Sequence, residues 1–218
     1  NYSLKNLAAS INVFYMRFRD EIIKSGGLDR FGIPITGNAE RTSHKGIELA
    51  AELTPFPKLK LNGNASFSRN TLDRYTSYGS ASEGIQNPAN PDSTVAYVLD
   101  GNRLPGFPDV LWNMRATYAF DRISVSLWAH HEGRKFTDNF SGMWYSTGEP
   151  RPGTIADAYT ALNGSLSYHL ERVGDLKDVN VILQVFNLTD RLYATHGEGD
   201  QFYPAATRNV YAGIEIGM

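Results

Sequence analysis

Residues 179–195, VNVILQVFNLTDRLYAT, and residues 209–218, NVYAGIEIGM, decide how this 218-residue chain is read. At period two, Val210, Ala212, Ile214, Ile216 and Met218 share one face of the second stretch, while Asn209, Tyr211, Gly213, Glu215 and Gly217 share the other. The first stretch repeats the pattern, with Val179, Val181, Leu183 and Val185 opposed by Asn180 and Gln184. Long strands that are apolar on one side and polar on the other are the unit of an outer-membrane β-barrel.

The segments upstream carry the same signature. Ile47, Leu49, Ala51 and Leu53 alternate with Glu48, Ala50 and Glu52, and TPFPK (54–58) turns the chain. Leu59, Leu61, Gly63, Ala65 and Phe67 then alternate with Lys60, Asn62, Asn64, Ser66 and Ser68. Val110 to Phe120, Ile123 to Glu132 and Leu162 to Leu170 follow the rule, with Asp121–Arg122 as a very short turn. The first candidate strand, 9–23, is ambiguous, because Phe14, Met16 and Phe18 compete with Ile11, Val13 and Tyr15.

These readings give about eight long strands with connections of two kinds. TPFPK, Asp121–Arg122 and 171–178 are short and fall on one side; 24–39, 74–105, 139–157 and 190–206 are longer and fall on the other. Short periplasmic turns and long extracellular loops are the barrel rule, and the parity holds at every connection. A soluble sandwich is the competitor, but its strands run about five or six residues and its loops are short.

Composition narrows the function classes. A formal net charge of −2 with mixed signs offers no surface for a polyanion, so no nucleic-acid partner is expected. Without cysteine there is neither a disulfide scaffold nor a thiolate metal site. Mean hydropathy is −0.36 and no run reaches the length of a membrane helix, as expected where only alternate residues meet lipid.

At this point the chain resembles the C-terminal part of a TonB-dependent outer-membrane receptor. HKGIELAAELTP (44–55), LKLNGNASFS (59–68), LPGFPDVLWNMRATY (104–118), VFNLTDRLYAT (185–195) and FYPAATRNVYAGIEIGM (202–218) follow the family's strand signatures in order. The matching positions are Gly46, Glu48, Pro105, Pro108, Asn187, Asp190, Tyr193 and Arg208. The family usually ends in Phe, and Met218 departs from that.

The resemblance implies an all-β, antiparallel transmembrane segment, with residues 1–218 as the last part of a barrel of about 22 strands. It implies a plug domain and earlier strands outside these residues, and TonB-energised import of a scarce ligand. A ferric siderophore is the leading expectation, with cobalamin, haem or a glycan behind it. The partners expected are outer-membrane lipid, the TonB complex acting through the plug, the barrel-assembly machinery and the small-molecule ligand, in the cell outer membrane of a Gram-negative bacterium. No cofactor held by protein side chains is expected; the iron–siderophore chelate is cargo.

Tyr75, Tyr78, Trp144, Tyr145, Arg151, His196 and Tyr203 lie in the long loops and are the candidate ligand contacts, by stacking and charge-assisted bonds. Any one of them taken singly is more readily an ordinary loop or interfacial aromatic, while the set as a whole is expected to include ligand contacts. No metal-ligand spacing surrounds the histidines. An outer-membrane enzyme is the rival from another class, with Ser126, His130 and Glu132 on one face of a strand, but residues four apart on a strand lie about 13 Å apart. A passive porin or adhesin is the other rival. No catalytic residue is assigned.

Overall fold

Two-residue turns set the register of this protein. A computed structural model describes residues 2–4, 6–80, 94–143, 148–150 and 153–217. Phe56 pairs with Leu59, Phe120 with Ile123 and Val173 with Leu176, so each turn holds only two residues. Asp121 (φ 51°) and Gly174 (φ 62°) supply the left-handed backbone that such tight connections need.

Among the described residues, nine strands form one antiparallel sheet: β1 (Tyr2–Leu4), β2 (Leu7–Phe18), β5 (Arg41–Phe56), β6 (Leu59–Arg74), β9 (Val110–Phe120), β10 (Ile123–Glu132), β13 (Tyr159–Val173), β14 (Leu176–Phe186) and β17 (Asn209–Gly217). Eight are long and β1 is a three-residue strand. The neighbours run in chain order, a meander whose edges are β1 and β17.

The two faces separate by a single residue step. Leu7, Leu53, Leu61, Ala116, Leu127, Gly164, Val185 and Val210 stand in one cross-strand row. One residue along, the row is Ala8, Glu52, Asn62, Arg115, Trp128 and Asn163. Shifting any strand by one residue would put charges into the apolar row, so the pattern itself fixes the register. The apolar face exposes Ile11, Val13, Met114 and Ile214, and a belt of that extent needs lipid.

The other face is wet and hydrogen-bonded. Asn12 Nδ2 donates to Glu48 at 3.0 Å, Asn113 Nδ2 to Asn64 at 3.0 Å, and Thr117 and Ser126 share a bond of 2.8 Å. Phe14, opposite Gly46, covers this face where the glycine leaves room. That resolves the ambiguity of the first strand: Ile11, Val13 and Tyr15 face lipid, and Phe14, Met16 and Phe18 face inward.

Several connections differ from the sequence reading. The strand expected over 9–23 ends at Phe18, and a bend with Asp20 at φ 55° starts a separate β3 (Glu21–Leu28), paired with β4 (Pro34–Ala39) where a plain loop was expected. Within 74–105, β7 (Thr76–Ser80) and β8 (Thr94–Val98) form a hairpin. β11 (Lys135–Phe136) pairs with β12 (Ile155–Ala156), and β15 (Ala194–Glu198) with β16 (Gln201–Pro204). Most of 171–178 belongs to β13 and β14, which leaves a turn of two residues.

The outer connections have a core of their own. Ile23, Ala39, Leu72, Tyr75, Tyr97, Leu99 and Leu104 cluster, with Phe140 packed against them. They come from β3, β4, the top of β6, the β7–β8 hairpin and the segment before β9. Each large buried side chain there contributes about 1.5–3 kcal/mol. The outer end of the wall is therefore roofed by folded hairpins.

Candidate functional site

The turn NLTD (187–190) is closed by its own side chains. Asn187 is 3 % exposed with φ 53°. Its Nδ2 donates to the carbonyls of Arg191 at 2.9 Å and Ala206 at 3.2 Å, while its Oδ1 accepts from Arg191 N at 3.0 Å. Its own N–H donates to Asn163 Oδ1 at 2.9 Å, which ties the turn to β13. Asp190 Oδ1 accepts from Arg208 N at 2.8 Å and so joins the end of β14 to the start of β17. Asparagine and aspartate suit these positions because they tolerate left-handed backbone and cap nearby amides.

The other family-matching residues have equally physical roles. A Cβ on Gly46 would lie 2.4 Å from the Phe67 carbonyl and 2.8 Å from the Phe14 ring. Glu48 takes the Asn12 amide. Pro105 is buried and Pro108 offers its carbonyl to Ser68 Oγ at 3.4 Å, in a segment that continues the pairing beside β6 without needing their missing N–H groups. Tyr193 stacks on Tyr159 at 4.1 Å.

Three outer segments interlock through a buried polar node. Lys24 Nζ lies 2.5 Å from Glu198 Oε1 and donates to His196 Nε2 at 3.0 Å. Thr137 Oγ1 donates to the Gly199 carbonyl at 2.5 Å, and Asn139 Nδ2 donates to the Lys24 carbonyl at 2.9 Å. The backbones meet so closely that a Cβ on Gly26 would strike Asp138, and one on Gly199 would strike the Gly26 carbonyl. Burial, then the Lys24 charge, holds the His196 pKa below its ordinary value despite the opposing effect of Glu198.

Below that node, a second group joins the wall to the loops. Tyr159 Oη donates to Glu132 Oε2 at 3.0 Å, Lys135 pairs with Glu132, and Lys135 Nζ donates to the Thr195 carbonyl at 2.7 Å. Glu132 and Tyr159 are cross-strand partners, so the group is visible once register is known but not from spacing along the chain. Tyr159 and Lys135 carry no signal in chain spacing for this reason, and Lys24, Thr137 and Glu198 carry none because they meet only where separate outer connections pack together.

The candidate contacts fall into different settings. Tyr75 is buried in the loop core, whereas Tyr78 is 71 % exposed on the β7–β8 hairpin. His196 and Tyr203 stack at 5.7 Å across the β15–β16 hairpin and leave a partly open aromatic surface. Trp144, Tyr145, Arg151 and Met218 lie outside the described residues. His130 Nε2 lies 4.0 Å from Glu132 Oε2, but Ser126 bonds Thr117 and His130 Nδ1 bonds Asn113 at 2.7 Å, so the serine is not joined to the other two members of the rival cluster. Among the described residues, no group of three or more His, Cys, Asp and Glu is arranged to hold a metal ion.

Comparison with known proteins agrees with this geometry. Residues 1–188 match the family described as "TonB dependent receptor-like, beta-barrel". No curated protein sequence matches. Among solved structures, the siderophore receptor PiuA from Acinetobacter baumannii aligns at a TM-score of 0.68 with 14 % identity, over 96 % of this chain and 26 % of its own. The copper transporter OprC aligns at 0.65 with 15 % identity, over 98 % and 28 %. The ferric yersiniabactin uptake receptor FyuA from Yersinia pestis aligns at 0.59 with 17 % identity, over 98 % and 26 %. The chain thus spans about a quarter of the length of these barrels. It belongs to the TonB-dependent receptor β-barrel family.

Proposed function

We propose that this chain is one arc of a TonB-energised receptor that imports a ferric siderophore across the Gram-negative outer membrane. The observation that carries the reading is the pairing of a polar, hydrogen-bonded inner wall with a roof of interlocked loops. A passive pore needs an unobstructed mouth. A selective receptor needs surfaces held at fixed positions above a wet lumen, and the Lys24–Glu198 node and the loop core fix them here. Exposed Tyr78 and the stacked His196–Tyr203 pair offer flat faces to a planar chelate.

The cargoes named for similar structures support a metal import role: a siderophore for PiuA, ferric yersiniabactin for FyuA, and copper for OprC. In this reading the iron arrives inside its chelator and needs no protein ligand. Energy comes from TonB through a plug domain outside these residues, insertion from the barrel-assembly machinery, and the apolar face from contact with lipid. The decisive experiment expresses the full-length receptor in a receptor-deficient strain and follows radiolabelled iron from catecholate, hydroxamate and citrate chelates, with and without TonB. Uptake of at least one chelate that disappears without TonB is expected. Uptake that persists without TonB makes the barrel a passive pore, and no uptake of any iron chelate removes the proposed cargo.

A further inference from the structure

On β5 and β6 the lipid-facing apolar pattern stops at one pleat. Going outward along β6, the lipid-facing residues are Leu59, Leu61, Gly63, Ala65 and Phe67, and the next is Arg69. Along β5 they are Leu53, Ala51, Leu49 and Ile47, and the next is Lys45. Lys45 and Arg69 are direct cross-strand partners, one pleat beyond the Ile47–Phe67 pair, and both are exposed. Like charges placed directly opposite each other destabilise a sheet.

The nearby carboxylates do not relieve them. Asp73 accepts from Ser43 Oγ at 2.7 Å and Thr71 Oγ1 at 3.1 Å, and lies 3.9 Å from Arg17 Nε. Asp109 is paired with Arg103. Among the described residues, neither Lys45 nor Arg69 has a hydrogen-bond or ion-pair partner. Arg103 registers the excess charge too: burial first, then Arg69, lowers its pKa.

Depth says which medium these two cations meet. A strand crosses the hydrocarbon in about 9–11 residues, the length of the apolar run from Leu59 to Phe67. Lys45 and Arg69 therefore stand at headgroup level in the outer leaflet, on the side away from the lumen. Exposed Tyr15 is the other cross-strand partner of Lys45. On β9 and β10, Trp112 and His131 stack at 5.2 Å on the same lipid-facing side and mark the interface.

We infer that Lys45 and Arg69 form a site on the outer wall of the barrel for the phosphate group of an outer-leaflet lipid. The guanidinium fork donates to two phosphate oxygens, the ammonium supplies a point charge, and a monoester carrying close to two negative charges neutralises both. The acyl chains of that lipid lie against Ile47, Leu49, Ala65 and Phe67. A zwitterionic headgroup would bring its own cation and leave the repulsion in place, so the lipid is anionic.

The test uses the full-length receptor in phosphatidylcholine nanodiscs containing lipid A with its phosphates, and counts retained lipid by native mass spectrometry. Lys45→Gln with Arg69→Gln should bind lipid A about thirtyfold more weakly than the parent, at about 1 kcal/mol per basic residue. Dephosphorylated lipid A should bind both proteins equally weakly. Because the two side chains repel each other, the double variant should be no less resistant to heat than the parent in detergent without lipid. Equal retention by parent and variant overturns the site. So does loss of lipid A from the parent in millimolar inorganic phosphate, since that outcome makes it a site for free anions.

Discussion

Lys24 Nζ lies 2.5 Å from Glu198 Oε1, and the glutamate side chain is only 1 % exposed. The pair joins β3 to β15, elements from the first and last outer connections of the chain. Removing one partner leaves a carboxylate buried without its cation. Lys24→Met should loosen the loop roof by about 2–4 kcal/mol, less than for a fully buried pair because Lys24 itself is partly exposed. Lys24→Met with Glu198→Met should recover much of that loss. Hydrogen exchange of residues 21–28 and 194–204 measures it, and equal protection in all three proteins would show that the pair is not holding the roof.

His196 gives the same node a pH dependence. Its folded pKa lies below the ordinary 6.5, so the folded roof prefers the neutral ring, which accepts from Lys24. The sign follows from linkage. The stabilisation is complete above about 6.5 and is lost as the pH falls through the depressed folded value. Protonation then sets a third cation beside Lys24 and Lys135; Glu132 is already paired with Lys135, which leaves Glu198 to face both Lys24 and the imidazolium. Loop protection should fall on acidification from pH 7 to 5, and His196→Gln should flatten the profile. A His196→Gln protein with the parent's pH profile would assign the effect elsewhere.

The wall was legible in the sequence and the roof was not, for a physical reason. Lipid demands an apolar residue at every second position, so the alternation is written along each strand, and pairing the strands lines it up in rows such as Leu53–Leu61–Ala116–Leu127. The roof has no such solvent. Its core takes Ile23 and Ala39 from one hairpin, Leu72 from a strand end, and Tyr97 and Leu99 from another hairpin, one or two residues at a time. No local period records that. The same logic explains 171–178: Glu171, Arg172 and Lys177 sit in strand ends that extend past the bilayer into water, where alternation is no longer enforced. The candidate aromatics were found by composition, but which of them pack and which stay open needed the register, as Tyr75 and Tyr78 show.

Facing can be tested at two adjacent positions of β14. Leu183 pairs with Leu166 and Ala212 on the lipid side, and Gln184 pairs with Ser165 and Tyr211 on the lumen side. Leu183→Arg should cost about 2–4 kcal/mol near the midplane, while Gln184→Arg should be nearly neutral. Heat-modifiable electrophoretic mobility of the folded barrel reads both. Equal loss from the two substitutions would overturn the assignment of faces.

Gly46 gives a test of the inner face. Because the Phe14 ring and the Phe67 carbonyl already occupy the space of a side chain, Gly46→Val must displace both. The cost should be about 1–3 kcal/mol, the usual range for overpacking. Phe14→Ala in the same protein should reduce the penalty by removing the ring, but not abolish it, since the carbonyl contact at 2.4 Å remains. A full rescue would mean that the ring alone excludes larger residues.

The last prediction separates roof from vestibule. Cutting out 75–103 whole would remove Tyr75, Tyr97 and Leu99 and collapse the loop core, so lost uptake would say nothing about ligand contact. Ser80 and Thr94 are cross-strand partners at the end of the β7–β8 hairpin, which allows a cleaner cut. Replacing 81–93 with Asn-Gly closes that hairpin with a two-residue turn and spares every buried residue below it. The barrel should insert and resist heat as before, while uptake of the cognate chelate falls by at least about tenfold, the equivalent of about 1.4 kcal/mol of lost contact. Tyr78→Ala, on an exposed side chain of the same hairpin, should lower uptake in the same direction without touching stability. Unchanged uptake in both proteins would remove this hairpin from the vestibule and leave the His196–Tyr203 surface as the remaining aromatic candidate among the described residues.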